Sequence, residues 1–144
     1  MTEISDSDKA EYQRKSFKKR KSVIRRILKN RNWDLLQQLA RDGNLLFRGL
    51  TSLSFDKEEL IRWRAIEAIG ITASIEAERD PQKVKKMISN QLWMMNDESG
   101  ALSWHGPEMI AEILYNVPGL MGQYAKLLPH YLKEEPFERG THWA

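Results

Sequence analysis

The stretch EELIRWRAIEAIGITASIEAE, residues 58–78, decides the fold. It contains neither proline nor a turn-forming pair, and its apolar residues recur at helical spacing over the whole length. Asp56 and Glu59 have the spacing of a capping box at the start of this helix. Asp80 and Pro81 end it and begin another, with Asp80 as the cap and Pro81 at the first position. The side chains predicted to face the core are Leu60, Trp63, Ile66 or Ala65, Ile69 and Ala73.

Helical spacing and helix-ending residues continue on both sides of this stretch. Toward the N-terminus, an apolar stripe begins at Val23, and a short helix is predicted between Asn32, which can cap it, and Gly43, which can end it in left-handed geometry. Toward the C-terminus, further helices are predicted to begin at Pro107 and Pro118. No segment alternates as a strand would, so we expect an all-α fold of seven or eight helices. The helix that begins at Pro81 is predicted to bury Val84, Met87, Ile88, Leu92 and Trp93.

Length and composition fit one domain. The chain has 144 residues, of which 41% are apolar and 30% charged. It has no cysteine, which excludes disulfides and thiolate metal sites and suits a reducing compartment. No window approaches the roughly 18 to 20 apolar residues of a membrane span, and the polar N-terminus lacks the apolar core of a signal peptide. These features predict a cytoplasmic protein without a membrane span.

Charge is distributed unevenly along the chain. Residues 1–31 hold eleven Lys or Arg and four acidic residues, whereas the rest holds twelve and sixteen. Between Arg14 and Arg31 there are ten basic residues and no acid. We therefore expect residues 1–22 to form a basic, partly flexible N-terminal helix or tail, and residues 23–144 to form the folded domain.

The basic run has two interpretations. It is either a solvated helix face or a contact for nucleic acid, an acidic protein or an anionic membrane surface. Phe17 is the one aromatic residue inside the run, and the body beyond residue 31 is acidic, so nucleic acid is the less favoured partner. The residues that would bind a polyanion are Arg14, Lys15, Lys18, Lys19, Arg20, Lys21, Arg25 and Arg26.

A weak internal repeat carries a resemblance to a known family. FDKEELIRWRAIEAIG (55–70) is partly repeated by LKEEPFERGTHWA (132–144) about 77 residues later, a gap that fits two units of about 38 residues. The sequence resembles HEAT-like repeats, including those named after phycobilin lyases, at Asp56, Arg62, Ala65 and 68–70. The segment LWMMNDESGALSWHGPEMIAEI (92–113) looks like part of bacterial HEAT-repeat proteins.

The resemblance covers roughly residues 33–144 and implies a HEAT/armadillo-like α-α superhelix, a short solenoid that ends mid-repeat. It also implies a scaffold that binds a protein or peptide without catalysis. A solenoid needs capped ends, so a homodimer through the C-terminal repeat is a further expectation.

The segment 93–108 concentrates polar groups between two tryptophans. These groups either cap helices and fill the space between them, or bind a partner or ligand. A metal or acid–base site is the third alternative, but Gly106 and Pro107 separate His105 from Glu108 and make a poor frame for shared ligation. The partner-binding candidates are Trp93, Asn96, Asp97, Glu98, Ser99, Trp104, His105, Glu108 and, outside the segment, Arg64.

No catalytic set emerges from the sequence. The chain has no Ser-His-acid order, no phosphate-binding glycine loop and no His-Glu pair of the kind used by HEAT-repeat hydroxylases. We expect Arg62 to pair with an acidic turn residue such as Asp56, and Arg64 is either structural or ligand-facing. The sequence thus predicts a non-enzymatic interaction module with no metal or cofactor, and leaves polyanion binding and a small-ligand site as alternatives.

Overall fold

The computed structural model describes residues 17–43, 46–94 and 106–124, and every regular element in these ranges is helical, as predicted. A one-turn 3-10 helix, Pro118–Leu120, precedes the last α-helix. The α-helices are α1 (Phe17–Asn30), α2 (Trp33–Arg41), α3 (Phe47–Leu53), α4 (Glu59–Arg79), α5 (Pro81–Met94), α6 (Gly106–Asn116) and α7 (Met121–Tyr124).

Helix α4 lies at the centre of the described part. It contacts α1, α2, α3, α5 and α6, and α2, α4 and α6 touch in that order. Because α4 is covered from several sides, its buried side chains do not form a single stripe. Ile66, Ile69 and Ala73 are buried as predicted, but Leu60 and Trp63 are 53% and 38% exposed, so the prediction for those two was wrong.

Most predicted helix boundaries are confirmed by their caps. Asn32 Oδ1 accepts a hydrogen bond from the Leu35 N–H at 3.3 Å, and Gly43 has a φ of +86°. Asp80 Oδ1 accepts from the Gln82 N–H at 3.1 Å, just ahead of the first residue of α5.

The predicted capping box before α4 is wrong. The cap residue is Glu58, whose side chain makes no capping hydrogen bond. Asp56 Oδ2 instead accepts a hydrogen bond from the Glu58 N–H at 3.0 Å, which closes the turn ahead of the helix.

Two arginines of α4 bind the C-terminal carbonyls of earlier helices. Arg64 Nη1 donates to the carbonyls of Leu28 and Lys29 at 2.9 and 2.7 Å, at the end of α1. Arg79 Nη2 donates to the last two carbonyls of α2, in residues 40 and 41, at 2.9 and 2.8 Å. These carbonyls have no partner inside their own helix and carry partial negative charge, so a guanidinium stabilises them.

Arg62 binds backbone rather than a carboxylate. Its Nη1 donates to the carbonyls of Asp56 and Lys57 at 2.9 and 3.3 Å. The Asp56 carboxylate is bound by Arg25 of α1, with Nε to Oδ1 at 3.2 Å. The expected pairing of Arg62 with the Asp56 side chain is therefore corrected. The turn is held by two arginines, one from α4 and one from α1.

Candidate functional site

A groove of about 790 Å³ lies between α3 and α5, beside the first residue of α1. Both helices pack on α4, but they make little contact with each other, and this gap is the groove. Gln91 Nε2 bridges the two walls by donating to Thr51 Oγ1 at 3.4 Å. The lining residues are Phe17, Phe47, Arg48, Thr51, Ser52, Phe55, Lys83, Lys86, Met87, Asn90 and Gln91.

Local sequence explains each wall. On α5, Lys83, Met87 and Asn90 are spaced by four and three residues, so they share one side of the helix. On α3, Arg48 and Ser52 are four residues apart, and Phe55 follows in the turn after the helix ends. Because α3 is short, it leaves the side of α5 that faces the groove uncovered.

The groove is apolar inside and aromatic at its mouth. Met87 is 6% exposed, and Phe47 is partly buried against the core. Phe17 and Phe55 are 39% and 45% exposed. Such partly exposed rings, grouped beside an apolar floor, are typical of surfaces that bind other molecules.

Cations stand on both walls. The Arg48 guanidinium carbon lies 4.1 Å from the centroid of the Phe17 ring, a cation–π contact that joins α3 to α1. Lys83 Nζ is 3.9 Å from Oε2 of the buried Glu76. Lys86, on the same wall, is exposed. No carboxylate is found among the described residues that line the groove.

The charge pattern extends over three whole helices. Helix α1 carries seven Lys or Arg, α3 carries one and α5 carries three, and none of these eleven is accompanied by an Asp or Glu in the same helix. The acidic residues of the described α-helices all belong to α2, α4 and α6. We call α1, α3 and α5 the basic helices. The groove is lined by residues of these three helices and of the turn after α3.

Part of the positive charge of α1, and that of Arg31 just after it, is paired with carboxylates of the same chain. Arg25 Nη2 lies 2.7 Å from Glu58 Oε1, in addition to its contact with Asp56, and Arg31 Nη2 lies 3.0 Å from Glu67 Oε1. Burial alone would raise the pKa of Asp56, but the hydrogen bonds from Arg25 and the Glu58 N–H lower it below its ordinary value of 3.8. This stabilisation is present above pH 3.8 and is lost as the pH falls through the lower pKa of the folded state.

The residues predicted to bind a polyanion differ in how exposed they are and in whether they already contact a carboxylate. Lys18, Lys19 and Arg26 are exposed on α1, and Arg20 and Lys21 are half-buried. Arg25 is held by carboxylates, as described above. The remaining two, Arg14 and Lys15, lie outside the described residues.

The predicted partner-binding residues are not brought together by the described part. Trp93 was expected inside and is 56% exposed, which corrects that prediction; it follows Lys86 by seven residues and so extends the same side of α5. Glu108 is 2% exposed in the first turn of α6, so it is not a surface contact. Arg64 caps α1. Outside the described residues lie Asn96, Asp97, Glu98, Ser99, Trp104 and His105.

Two further findings concern residues 17–43, 46–94 and 106–124. Within these ranges no cluster of three or more His, Asp or Glu is placed to hold a metal ion. Among the helices in the same ranges, none is both long enough and apolar enough to cross a bilayer.

Sequence reasoning missed the groove. Its residues come from α1, α3 and α5, which are far apart in the chain and are brought together by tertiary packing alone. One signal was present: Lys83, Lys85 and Lys86 form a second basic cluster on a helix without acids. The net negative charge of residues 32–144 obscured it.

Comparison of the chain with protein-family models, curated proteins and solved structures finds no match. Its function is therefore inferred from the contacts, burial and charge of its own residues.

Proposed function

We propose that this chain is a non-enzymatic protein-interaction module whose groove holds an apolar segment of a partner protein. The observation that carries the proposal is the pair of exposed rings, Phe17 and Phe55, at the mouth of an apolar groove. Aromatic residues beside a buried apolar floor supply much of the binding free energy in protein interfaces. The exposed Trp93 lies further along the same side of α5 and lengthens this surface.

The order of the helices supports a stack of HEAT-like helix pairs. Helix α4 contacts both α2 and α6. Helices α1, α3 and α5, which alternate with these three along the chain, also pack on α4. Repeated helix pairs of this kind present elongated surfaces to partner proteins. The expected C-terminal homodimer concerns residues beyond 124 and stays a prediction.

The proposal is tested by photo-crosslinking in the cell that makes the protein. Benzoylphenylalanine replaces Phe55 in one variant and Tyr115, which is 79% exposed on α6, in the control. We expect a protein adduct at position 55 that is absent at position 115. The cross-linked segment is then made as a peptide and titrated with the purified chain.

In that titration, we expect Phe55→Ala to weaken binding by about tenfold or more, and Tyr115→Ala to leave it unchanged. Identical adducts at both positions, or equal affinities for the two alanine variants, would reject the groove as the binding site.

Nucleic-acid binding is the second candidate, favoured by the exposed Lys18, Lys19 and Arg26 of α1. The Arg48 guanidinium lies over one face of the Phe17 ring, so that face is closed to a stacked base. This candidate predicts binding to single-stranded RNA that falls steeply with salt and is weakened by Lys18→Ala with Lys19→Ala. Absence of binding at low salt would remove it.

A further inference from the structure

The dimensions of the groove fit a helical occupant. The α5 wall runs from Lys83 to Gln91, eight residue steps or about 12 Å, and the α3 wall from Phe47 to Phe55 spans the same number of residues. About two turns of an incoming helix would fill this length. Two helices already form the walls, so an occupant helix would complete the packing that α3 and α5 leave open. Amphipathic helices bind such grooves through apolar residues three or four positions apart.

The charge of the groove restricts the occupant further. Arg48 stands on one wall and Lys83 and Lys86 stand on the other, so a bound helix would have cations along both sides of its apolar stripe. The basic helices add a positive field around this site and would steer an acidic segment toward it. A lysine-rich segment would meet repulsion on both walls.

We infer that the partner segment is an acidic amphipathic helix, with its apolar stripe in the groove and its flanking Asp or Glu residues paired with Arg48 and Lys86. This inference rests on the proposed function and names the class of its partner. Lys83 contributes less, because its ammonium group already lies near Glu76. Nucleic acid is less suitable because it has no apolar stripe to cover Met87 and Phe47.

The test uses the complete chain and three fluorescent peptides of about 14 residues. All three carry the same leucine and phenylalanine stripe, and the flanking positions are Glu in the first, Gln in the second and Lys in the third. Fluorescence anisotropy gives each affinity at low and high salt. We expect the Glu peptide to bind about tenfold more tightly than the Gln peptide at low salt, with the difference shrinking as salt rises. We expect no measurable binding of the Lys peptide.

Reversing the charge of two groove residues tests whether a change in peptide binding is specific or results from misfolding. Arg48→Glu with Lys86→Glu should reverse the preference, so that the Lys peptide binds and the Glu peptide does not. The matched control, Lys29→Glu with Lys57→Glu, makes the same change in net charge at exposed positions outside the groove and should keep the wild-type preference. New binding of the Lys peptide by a variant whose circular dichroism spectrum matches that of the wild type does not arise from misfolding.

The other outcomes separate this inference from the proposed function. If the Glu, Gln and Lys peptides bind equally and Phe55→Ala weakens all of them, the acidic partner is rejected while the groove stands as an apolar binding site. If no peptide binds and single-stranded RNA does, both the peptide partner and the proposed function are rejected in favour of nucleic-acid binding.

Discussion

At the scale of single residues, Gly70 lies where the backbone of α4 closely approaches that of α6. A methyl group at this position would lie 2.5 Å from Asn116 Nδ2 and 2.9 Å from the carbonyl oxygen of Glu112. Those two atoms are themselves joined by a hydrogen bond of 2.8 Å. The amide side chain can move, but the carbonyl belongs to the backbone of α6 and can move only with the helix. The glycine therefore sets the distance between the two helices.

We predict that Gly70→Ala lowers the free energy of unfolding by about 1–3 kcal/mol because α6 must shift outward. Gly122→Ala is the control, since a methyl group there would have no neighbour within 4 Å, and alanine in α7 should be neutral or slightly stabilising. Urea denaturation followed by circular dichroism measures both variants. Equal stability of Gly70→Ala and the wild type would contradict this account of the contact.

Glu112 is a carboxylate in an unfavourable environment. Burial, and then the negative charge of Glu67, raises its pKa above the ordinary value of 4.5. The folded state therefore holds its proton more strongly than the unfolded state does. The stability linked to this group is fully present below pH 4.5 and is lost as the pH rises through the higher folded pKa.

We predict that Glu112→Gln raises the melting temperature at pH 7, because the neutral amide avoids the cost that burial and Glu67 impose on the carboxylate, and that the gain disappears near pH 4. Thermal denaturation at both pH values measures the effect. Glu78→Gln, on the exposed side of α4, is the control for removing a carboxylate at the surface and should leave the melting temperature at pH 7 nearly unchanged. A gain of the same size at both pH values would indicate a packing effect instead of the removal of a charge.

At the scale of helices, α4 stabilises its neighbours through side chains as well as through burial. Arg64 spans 36 residues to reach the end of α1, and Arg79 spans 39 to reach the end of α2. Each places one nitrogen between two carbonyls, of which Leu28 O and Ala40 O also accept a backbone N–H from the turn that follows their helix. A helix end is in this way fixed by a residue of a different helix.

We predict that Arg64→Ala lowers the free energy of unfolding by about 1 kcal/mol, because the end of α1 loses a charged hydrogen-bond donor. Arg64→Lys should lose less, since an ammonium group near the same carbonyls keeps the charge. Arg26→Ala removes an exposed arginine of α1 and serves as the control. Chemical denaturation of the three variants gives the comparison, and a loss for Arg26→Ala as large as that for Arg64→Ala would disprove the capping role.

The helices were predictable from the sequence to different degrees. Asn32, Gly43 and Asp80 act on their own neighbours, so their effect can be read from the sequence alone. The role of Arg25 depends on a contact between segments that are more than 30 residues apart in the chain. The role of Arg62 depends on which carbonyls the turn presents to it. Local spacing does not contain that information, and for this reason the carboxylate of the turn was assigned to the wrong arginine.

At the scale of the whole molecule, the all-α fold followed from the sequence, whereas the location of the site did not. Summed along the chain, the segment after residue 31 is acidic, and this argued against an anion-binding surface in the body. In three dimensions the helices that carry no acid, α1, α3 and α5, line one groove, and Lys83 of α5 alone among its lysines lies near a described carboxylate, that of Glu76. The basic residues of α3 and α5 are distant in sequence from those of α1, and the fold brings them close together around the groove. Within the described part of the chain, the clustering of positive charge around the groove arises from the topology.

The two capping arginines of α4 also have a consequence for recognising relatives of this chain. Arg64 and Arg79 are 15 residues apart, about four helical turns, and the helix ends they hold are fixed by the rest of the fold. Inserting or deleting one residue between them would rotate one guanidinium by about 100° away from its carbonyls. We therefore expect homologues to differ in most of the side chains between the two arginines. We expect them to keep the number of residues between the arginines and a small residue near the middle. An alignment of homologues in which this interval varies freely would contradict the capping role of the two arginines.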